Sequence, residues 1–343
     1  MESLLFTLNA VLPIIFCIVI GYILKLLKIF HEDFWPKLNK LCFRVLLPVL
    51  LFKNIYDTKS ITMLGENWQA LVFCSLAIVS VFFIGLLVVI FSVKDDKQKG
   101  VVLQCIFRSN YAIIGIGLIE LLATGGDVAT AKGIGSVIAA LSIPIFNVLA
   151  IISLTIFVKD EDGKKITVKE TIIKICKNPL IIGVVLGIVF LSFRALIPAD
   201  INGNPVWTFR YFNDYGGNDT FIYTTIKYLA GAASPVALIA LGGAFSFSAV
   251  SRLKFQIIIG TVARTLVVPI TCLFIAYLFK FDKSYFPALI ALFGTPVAVS
   301  SVPMSSEMNN DSELAGQLVV WTTLISAFTL FGIILVCKSA GLL

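Results

Sequence analysis

The chain has 343 residues, of which 58% are hydrophobic and only 14% charged, whereas soluble domains carry roughly a quarter charged residues. With a mean hydropathy of +0.98, this composition excludes a soluble globule, a disordered chain, a secreted disulfide scaffold and a nucleic-acid-binding protein of the basic-patch kind, and it indicates an integral membrane protein. The formal net charge of +7 reads as Lys and Arg in cytoplasmic loops facing anionic headgroups, not as the mark of an acidic partner.

Residues 3–24 form the first apolar segment. Glu2 in place of a basic leader, the length of the run and the lack of a small-residue cleavage site make it a retained helix and not a signal peptide. An interrupted segment covers 34–56, and 67–93 is continuous. Segment 100–122 is interrupted again, while 133–158 is continuous. The basic stretch 159–177 follows, then the short segment 178–196 and the polar stretch 197–220. The remaining apolar segments are 228–251, 255–279, 284–306 and 314–337. Six of these segments contain no charged residue and run for 22 to 27 residues, enough to cross a hydrocarbon core of about 30 Å as a helix. Four weaker ones bring the count to ten. Continuous rather than alternating apolarity selects helices over a barrel. The expected fold is an all-α integral membrane protein with ten transmembrane helices.

Basic residues set the expected orientation. With the N-terminus outside, 18 of the 27 Lys and Arg fall on the inner side and 9 on the outer, as the positive-inside rule requires. Ten spans then put both termini on the non-cytoplasmic side of the cell membrane. Residues 159–177 become the longest cytoplasmic loop and 197–220 the longest outer loop.

The two halves echo each other. Pro13 and Gly21 are eight apart in span one, as are Pro179 and Gly187 in span six. Pro48-Val49-Leu50-Leu51 matches Pro235-Val236-Ala237-Leu238 at an offset of 187, and Phe107-Arg108-Ser109-Asn110 matches Phe293-Gly294-Thr295-Pro296 at 186. Five spans per repeat is an odd number, so the second repeat enters from the opposite side. That gives two inverted repeats, 1–158 and 178–343, joined by the 159–177 linker, an architecture common among secondary transporters.

Spans four and nine are the least regular. Span four holds Arg108, Ser109 and Asn110 mid-segment; span nine holds Gly294, Thr295, Pro296, Ser300, Ser301 and Pro303. Pro removes a helical hydrogen bond and Gly lowers the cost of leaving helical geometry. A break frees backbone groups that need partners in protein, water or ligand. Two breaks at matching positions would bring four half-helix ends together at the midplane, where the N-terminal ends favour a carboxylate. Arg108 either faces this site or snorkels to the cytoplasmic interface, and Arg264 has the same two readings. Arg44 reads as snorkelling beside Lys40. Asn147 in span five either bonds the broken span four or ties two helices together. Glu120 and Glu307, near the span ends, read as solvated interfacial groups, with carriage of a coupling proton as the alternative. Asp95-Asp96 supplies half of a metal–diphosphate motif, but no second acidic cluster accompanies it. The seven cysteines read as small buried hydrophobes, and a single histidine, His31, gives no basis for a His-based metal site. No cofactor is expected.

The segments FWPKLNKLCFRVLLPVLLFKNI, RSNYAIIGIGLIELLATGG, NPLIIGVVLGIVF, ASPVALIALGGAFSF and FGTPVAVSSVPMSSEMNNDSELAGQLVVWTTLISAFTL occur in the order in which their counterparts occur in the auxin efflux carrier family. The chain resembles that family over nearly its whole length, and its short 159–177 loop resembles bacterial members. The resemblance implies a ten-helix fold related to the bile acid–sodium symporters. It further implies a scaffold of spans one, two, six and seven, a transport domain of spans three to five and eight to ten, and broken spans four and nine crossing at the substrate site. It places Asn110 and Pro296 at the crossover and Asn147 beside it; here Asn110 stands where some members carry Pro. It also implies a homodimer through the scaffold. The resulting expectation is an elevator-type secondary transporter that exports a small organic anion, with no covalent chemistry and no nucleic-acid partner. The carboxylate would be held by freed backbone N–H groups, Arg108, Asn110 and Asn147, with Ser109, Thr295, Ser300 and Ser301 as further donors beside Pro296. Coupling to a proton or sodium stays open. The alternatives are a sodium-coupled bile-acid-like symporter and a non-transporting membrane sensor of the same fold.

Overall fold

The computed structural model describes residues 2–57, 67–123, 128–158, 168–196 and 221–343. Among these residues every element is helical. In chain order they are α1 (Glu2–Leu26), α2 (Phe34–Leu41), α3 (Leu47–Tyr56), α4 (Trp68–Ser92), α5 (Asp96–Phe107), α6 (Ile116–Leu122), α7 (Val128–Thr155), α8 (Val168–Lys177), α9 (Pro179–Leu196), α10 (Phe221–Ala244), α11 (Ser248–Val262), α12 (Val268–Leu278), α13 (Phe286–Gly294), α14 (Ser301–Glu307) and α15 (Ser312–Ser339). Five helical stretches, among them Ser248–Leu278 as one continuous unit, are long and apolar enough to cross a membrane. The interval 197–220, expected as an outer loop, lies outside the described residues, as do 159–167. The rest of the expected linker is not loop: 168–177 form α8, with Lys169, Ile172, Ile173 and Lys177 all exposed.

The outside of the molecule is apolar. Phe83, Ile84, Leu87 and Phe91 stand exposed on α4, and Ile182, Val185 and Phe193 on α9. Water does not tolerate so wide an apolar surface on a monomer, but acyl chains do. The protein is a multi-pass membrane protein.

In lipid, helices associate through close packing and polar contacts instead of hydrophobic driving force. Gly21 on α1 abuts the Ile239 carbonyl, and Gly242 on α10 abuts the Ile18 carbonyl, so a Cβ fits at neither position. Gly183 on α9 makes the same intimate contact with Pro48 on α3. The pairs α1–α10 and α9–α3, with α2, form one helix group. The other is built from α4–α7 and α11–α15, and the two groups touch chiefly where α1 meets α15 and α2 meets α14.

Two unbroken helical stretches widen into a π turn, Cys42–Leu46 before α3 and Ala263–Val267 before α12. Each is followed by proline at the second position of the next helix, Pro48 and Pro269. Proline has no N–H for the carbonyl four residues back and its ring clashes there. The chain responds with a five-residue step: the Leu47 N–H bonds the Cys42 carbonyl, and the Val268 N–H bonds the Ala263 carbonyl. An arginine sits in each turn, Arg44 and Arg264.

The core is densest at two interrupted segments. Every residue from Gly100 to Tyr111 and from Phe286 to Ser305 is buried. The cysteines follow the expectation at positions 42, 74, 105, 272 and 337, which are buried, while Cys17 is half-buried and Cys176 is exposed on α8.

Candidate functional site

Helix α5 stops at Phe107, and Arg108 adopts extended geometry at φ −89°, ψ 118°. After Asn110 the chain re-enters a helical path as the π turn Tyr111–Gly115 and then α6. Helix α13 stops at Gly294, and Thr295 is extended at φ −68°, ψ 151°. The cause is local, because a residue before proline is driven out of the helical region, and Pro296 follows. The second segment resumes as α14. The two breaks meet: Ser109 and Val297 form an isolated antiparallel bridge, and the Asn110 N–H donates to the Pro296 carbonyl at 2.8 Å.

A helix that stops inside a protein leaves carbonyl groups without partners. Here one side chain serves two such ends. The fully buried Arg264 guanidinium donates to the Ile106 and Phe107 carbonyls at 3.4 and 3.2 Å, to Leu292 and Phe293 at 3.2 and 2.7 Å, and to Thr295 at 3.0 Å. It closes the C-terminal ends of α5 and α13 at once, and its positive charge faces the negative ends of both helix dipoles. Of its two expected readings, neither the interface nor a substrate contact holds.

Arg108 is buried as well, at 4% exposure, so it does not snorkel. Its Nη1 donates to Met304 Sδ at 2.8 Å, and its Nη2 donates to Asn147 Oδ1 at 2.9 Å and Ser300 Oγ at 2.8 Å. All three acceptors are neutral, and sulfur is a weak one. Three of the five guanidinium donors are used, leaving two. Asn147 Nδ2 donates to the Ile143 carbonyl at 2.9 Å, which fixes its amide so that the oxygen faces Arg108. Among the described residues the ion pairs involve other cations, and no carboxylate pairs with Arg108 or Arg264. An intramembrane arginine costs roughly 2.5–3.5 kcal/mol on insertion scales. For Arg264 the carbonyls offset that cost; for Arg108 the countercharge is missing.

A narrow cleft of about 40 Å³, room for little more than water in this conformation, opens beside Arg108, between the two helix groups. Leu47, Leu50, Leu51 and Leu180 supply one wall, and Arg108, Ser109, Asn110, Phe146, Asn147 and Ser300 supply polar and aromatic groups on the other. A mostly apolar wall with a few converging polar groups is the usual make-up of a small-molecule site.

Five of the eight expected site residues therefore come together: Arg108, Ser109, Asn110, Asn147 and Ser300. The other three lie behind the cleft. Thr295 Oγ1 donates to the Ala291 carbonyl, the Pro296 carbonyl receives Asn110, and Ser301 is buried without lining the opening. Nor are the freed amides generally open to a ligand, since the Val297 N–H donates to Thr322 Oγ1 at 3.3 Å and that of Asn110 is used in the bridge. Thr322, Met304 and the leucines of α3 were not anticipated. Thr322 had only the signal of a Thr-Thr pair inside an apolar helix. Met304 sits one turn from Ser300. Glu120 pairs with Lys132 at 2.6 Å. Arg44, expected to snorkel beside Lys40, has an exposed side chain and pairs with Glu307 at 3.2 Å. Asp95 caps α5 by accepting from the Lys97 N–H, and Asp96 pairs with Lys99.

The sequence model of a family described as membrane transport protein matches residues 6–334 of this chain. No curated protein matches it significantly.

Proposed function

The chain belongs to the auxin efflux carrier family of membrane transport proteins, and from that premise we propose that it is an elevator-type secondary transporter exporting a small organic anion. The observation that carries this reading is Arg108, a buried cation with free donors and no carboxylate partner, on the wall of a cleft between two helix groups. A carboxylate entering the cleft supplies the missing charge, and charge-assisted bonds to a guanidinium fork are the strong ones. Asn110 lies next to the fork and donates to the same anion, while Asn147 and Ser300 aim it. Thr295, Pro296 and Ser301 act from behind by holding the crossing.

In this reading the ten spans are α1, α2–α3, α4, α5–α6, α7, α9, α10, α11–α12, α13–α14 and α15. They form two inverted five-span repeats with the crossing at the midplane, and α8 lies in the cytoplasmic linker. The exchanged packing, α1 on α10 and α9 on α3, supports the repeat, because an inverted pair swaps equivalent contacts. The group of α1–α3, α9 and α10 serves as the scaffold and dimer contact, and the other group moves with the anion. The apolar wall of Leu47, Leu50, Leu51 and Leu180 suits sliding, since it holds no directional bonds to break. Both termini lie on the non-cytoplasmic side of the cell membrane.

A sodium-coupled symporter is the second reading, favoured by the unpartnered hydroxyls of Ser109 and Ser301 at the crossing. The test is a thermal-stabilisation screen of the purified protein against organic acids, with and without sodium. Carboxylates should raise the melting temperature, and the parent acid's uncharged amide should not. If no acid in the screen stabilises the protein, the anion reading fails.

A further inference from the structure

Helix α14 carries two arginine contacts along one face. Ser300, at its N-cap, and Met304 accept from Arg108, and Glu307 Oε2 accepts from Arg44 Nε at 3.3 Å and Nη2 at 3.2 Å. Positions i, i+4 and i+7 lie on the same side of a helix. Ser300 and Glu307 are separated by about 10 Å of helical rise. Arg44 arrives from the opposite helix group, on the π turn that runs directly into Leu47 of the cleft wall.

The two guanidinium groups differ in access. The Arg44 side chain is 59% exposed and that of Glu307 21%, whereas Arg108 is buried. The Arg44–Glu307 contact uses one carboxylate oxygen for both donors, at the long end of hydrogen-bond distances. At the cytoplasmic end of its span, where the topology above places Arg44, an exposed pair of this geometry holds its partners weakly and exchanges readily.

We propose that Arg44 is a second anion position, an encounter site where an arriving carboxylate displaces Glu307 before moving along α14 to Arg108. The proposal rests on the organic-anion reading above. Glu307 is then an internal competitor: it occupies Arg44 when no anion is present and is pushed aside when one arrives. A charge at the rim of a binding site acts on association and its salt dependence, while a buried charge partner acts on dissociation and affinity.

The test measures association and dissociation rates of malonate, succinate and indole-3-acetate on the full chain in phosphatidylcholine nanodiscs, by surface plasmon resonance at several salt concentrations. Arg44→Gln should slow association about tenfold and flatten its salt dependence, leaving dissociation unchanged, and Arg44→Lys should recover most of the rate. Glu307→Gln should speed association. Arg108→Gln should lose binding. If Arg44→Gln and Glu307→Gln shift association in the same direction, the pair is only a tie between helices and the proposal is overturned. It is also overturned if Arg44→Gln leaves association unchanged while Arg108→Gln abolishes binding, an outcome that keeps the anion reading intact. Failure of all three acids to bind the unmodified protein overturns both. Should Arg44→Gln not fold, the sign of the Glu307→Gln effect decides alone.

Discussion

Arg108 and Arg264 are both buried arginines beside the same helix breaks, and they solve the cost of burial in opposite ways. Arg264 spends its fork on main-chain carbonyls of α5, α13 and Thr295. Arg108 meets two neutral oxygens and a sulfur and keeps donors in reserve. Saturation by backbone makes an arginine part of the architecture; partial satisfaction by side chains at a cleft leaves two of its donors unused. Burial alone does not tell these roles apart, but the acceptors do.

Substitutions at four positions would break or sharpen the contrast. The largest effect is expected for Arg264→Leu, which leaves carbonyls of two helix ends unpaired in a dry interior. Each charge-assisted bond is worth about 1.5–3 kcal/mol, so the variant should fail to give monodisperse protein on size exclusion. Arg264→Lys should restore it only in part, because an ammonium lacks the planar fork. Next is Arg108→Gln: carboxylate-dependent stabilisation should disappear, an affinity loss of about 2–5 kcal/mol. Its melting temperature without ligand should stay level or rise, because an uncompensated buried charge has been removed. Differential scanning fluorimetry reads both. A fall in unliganded stability comparable to that of Arg264→Leu would make Arg108 architectural too.

Asn110→Ala should weaken carboxylate binding by about 1–3 kcal/mol, roughly five- to 150-fold, by isothermal titration calorimetry. The fold should persist, since the bridge to Pro296 uses the Asn110 backbone and not its side chain. The smallest effect belongs to Thr322→Val, which takes the acceptor from the Val297 N–H. A loss of about 1–3 kcal/mol for the orphaned amide, visible as a lowered melting temperature, should come with little change in ligand affinity.

Much of this was legible in the sequence, and the reason differs from residue to residue. The second break was written locally: Gly294, Thr295 and Pro296 dictate where a helix stops. The first break was marked by Arg108 to Asn110 standing in an apolar run and by the offset to the second. That Asn147 meets Arg108 was a fair reading of a lone amide in an apolar helix. The work of Arg264 was not legible, because its acceptors are main-chain carbonyls 28 to 158 positions away, and a carbonyl leaves no trace in a sequence. The same holds for Pro296, whose contribution is its carbonyl as much as its ring. Thr295 and Ser301 looked like ligand donors because sequence shows polarity but not the direction in which it points. The Arg44 partner went unseen for the related reason that Glu307 lies 263 positions away.

The π turns carry a consequence for how these spans tolerate insertions and deletions. A π turn is an α-helix with one residue too many, and deleting that residue would ordinarily heal the helix and keep its faces in register. At Cys42–Leu46 and Ala263–Val267 the healed helix would set Pro48 or Pro269 against a carbonyl four residues back, where its ring does not fit. Adding a residue elsewhere would turn everything beyond it by about 100°, carrying Arg264 away from both helix ends. The length of the span holding Arg264 is therefore fixed from both directions, by Pro269 against shortening and by the arginine against growth, and Pro48 fixes the other span against shortening.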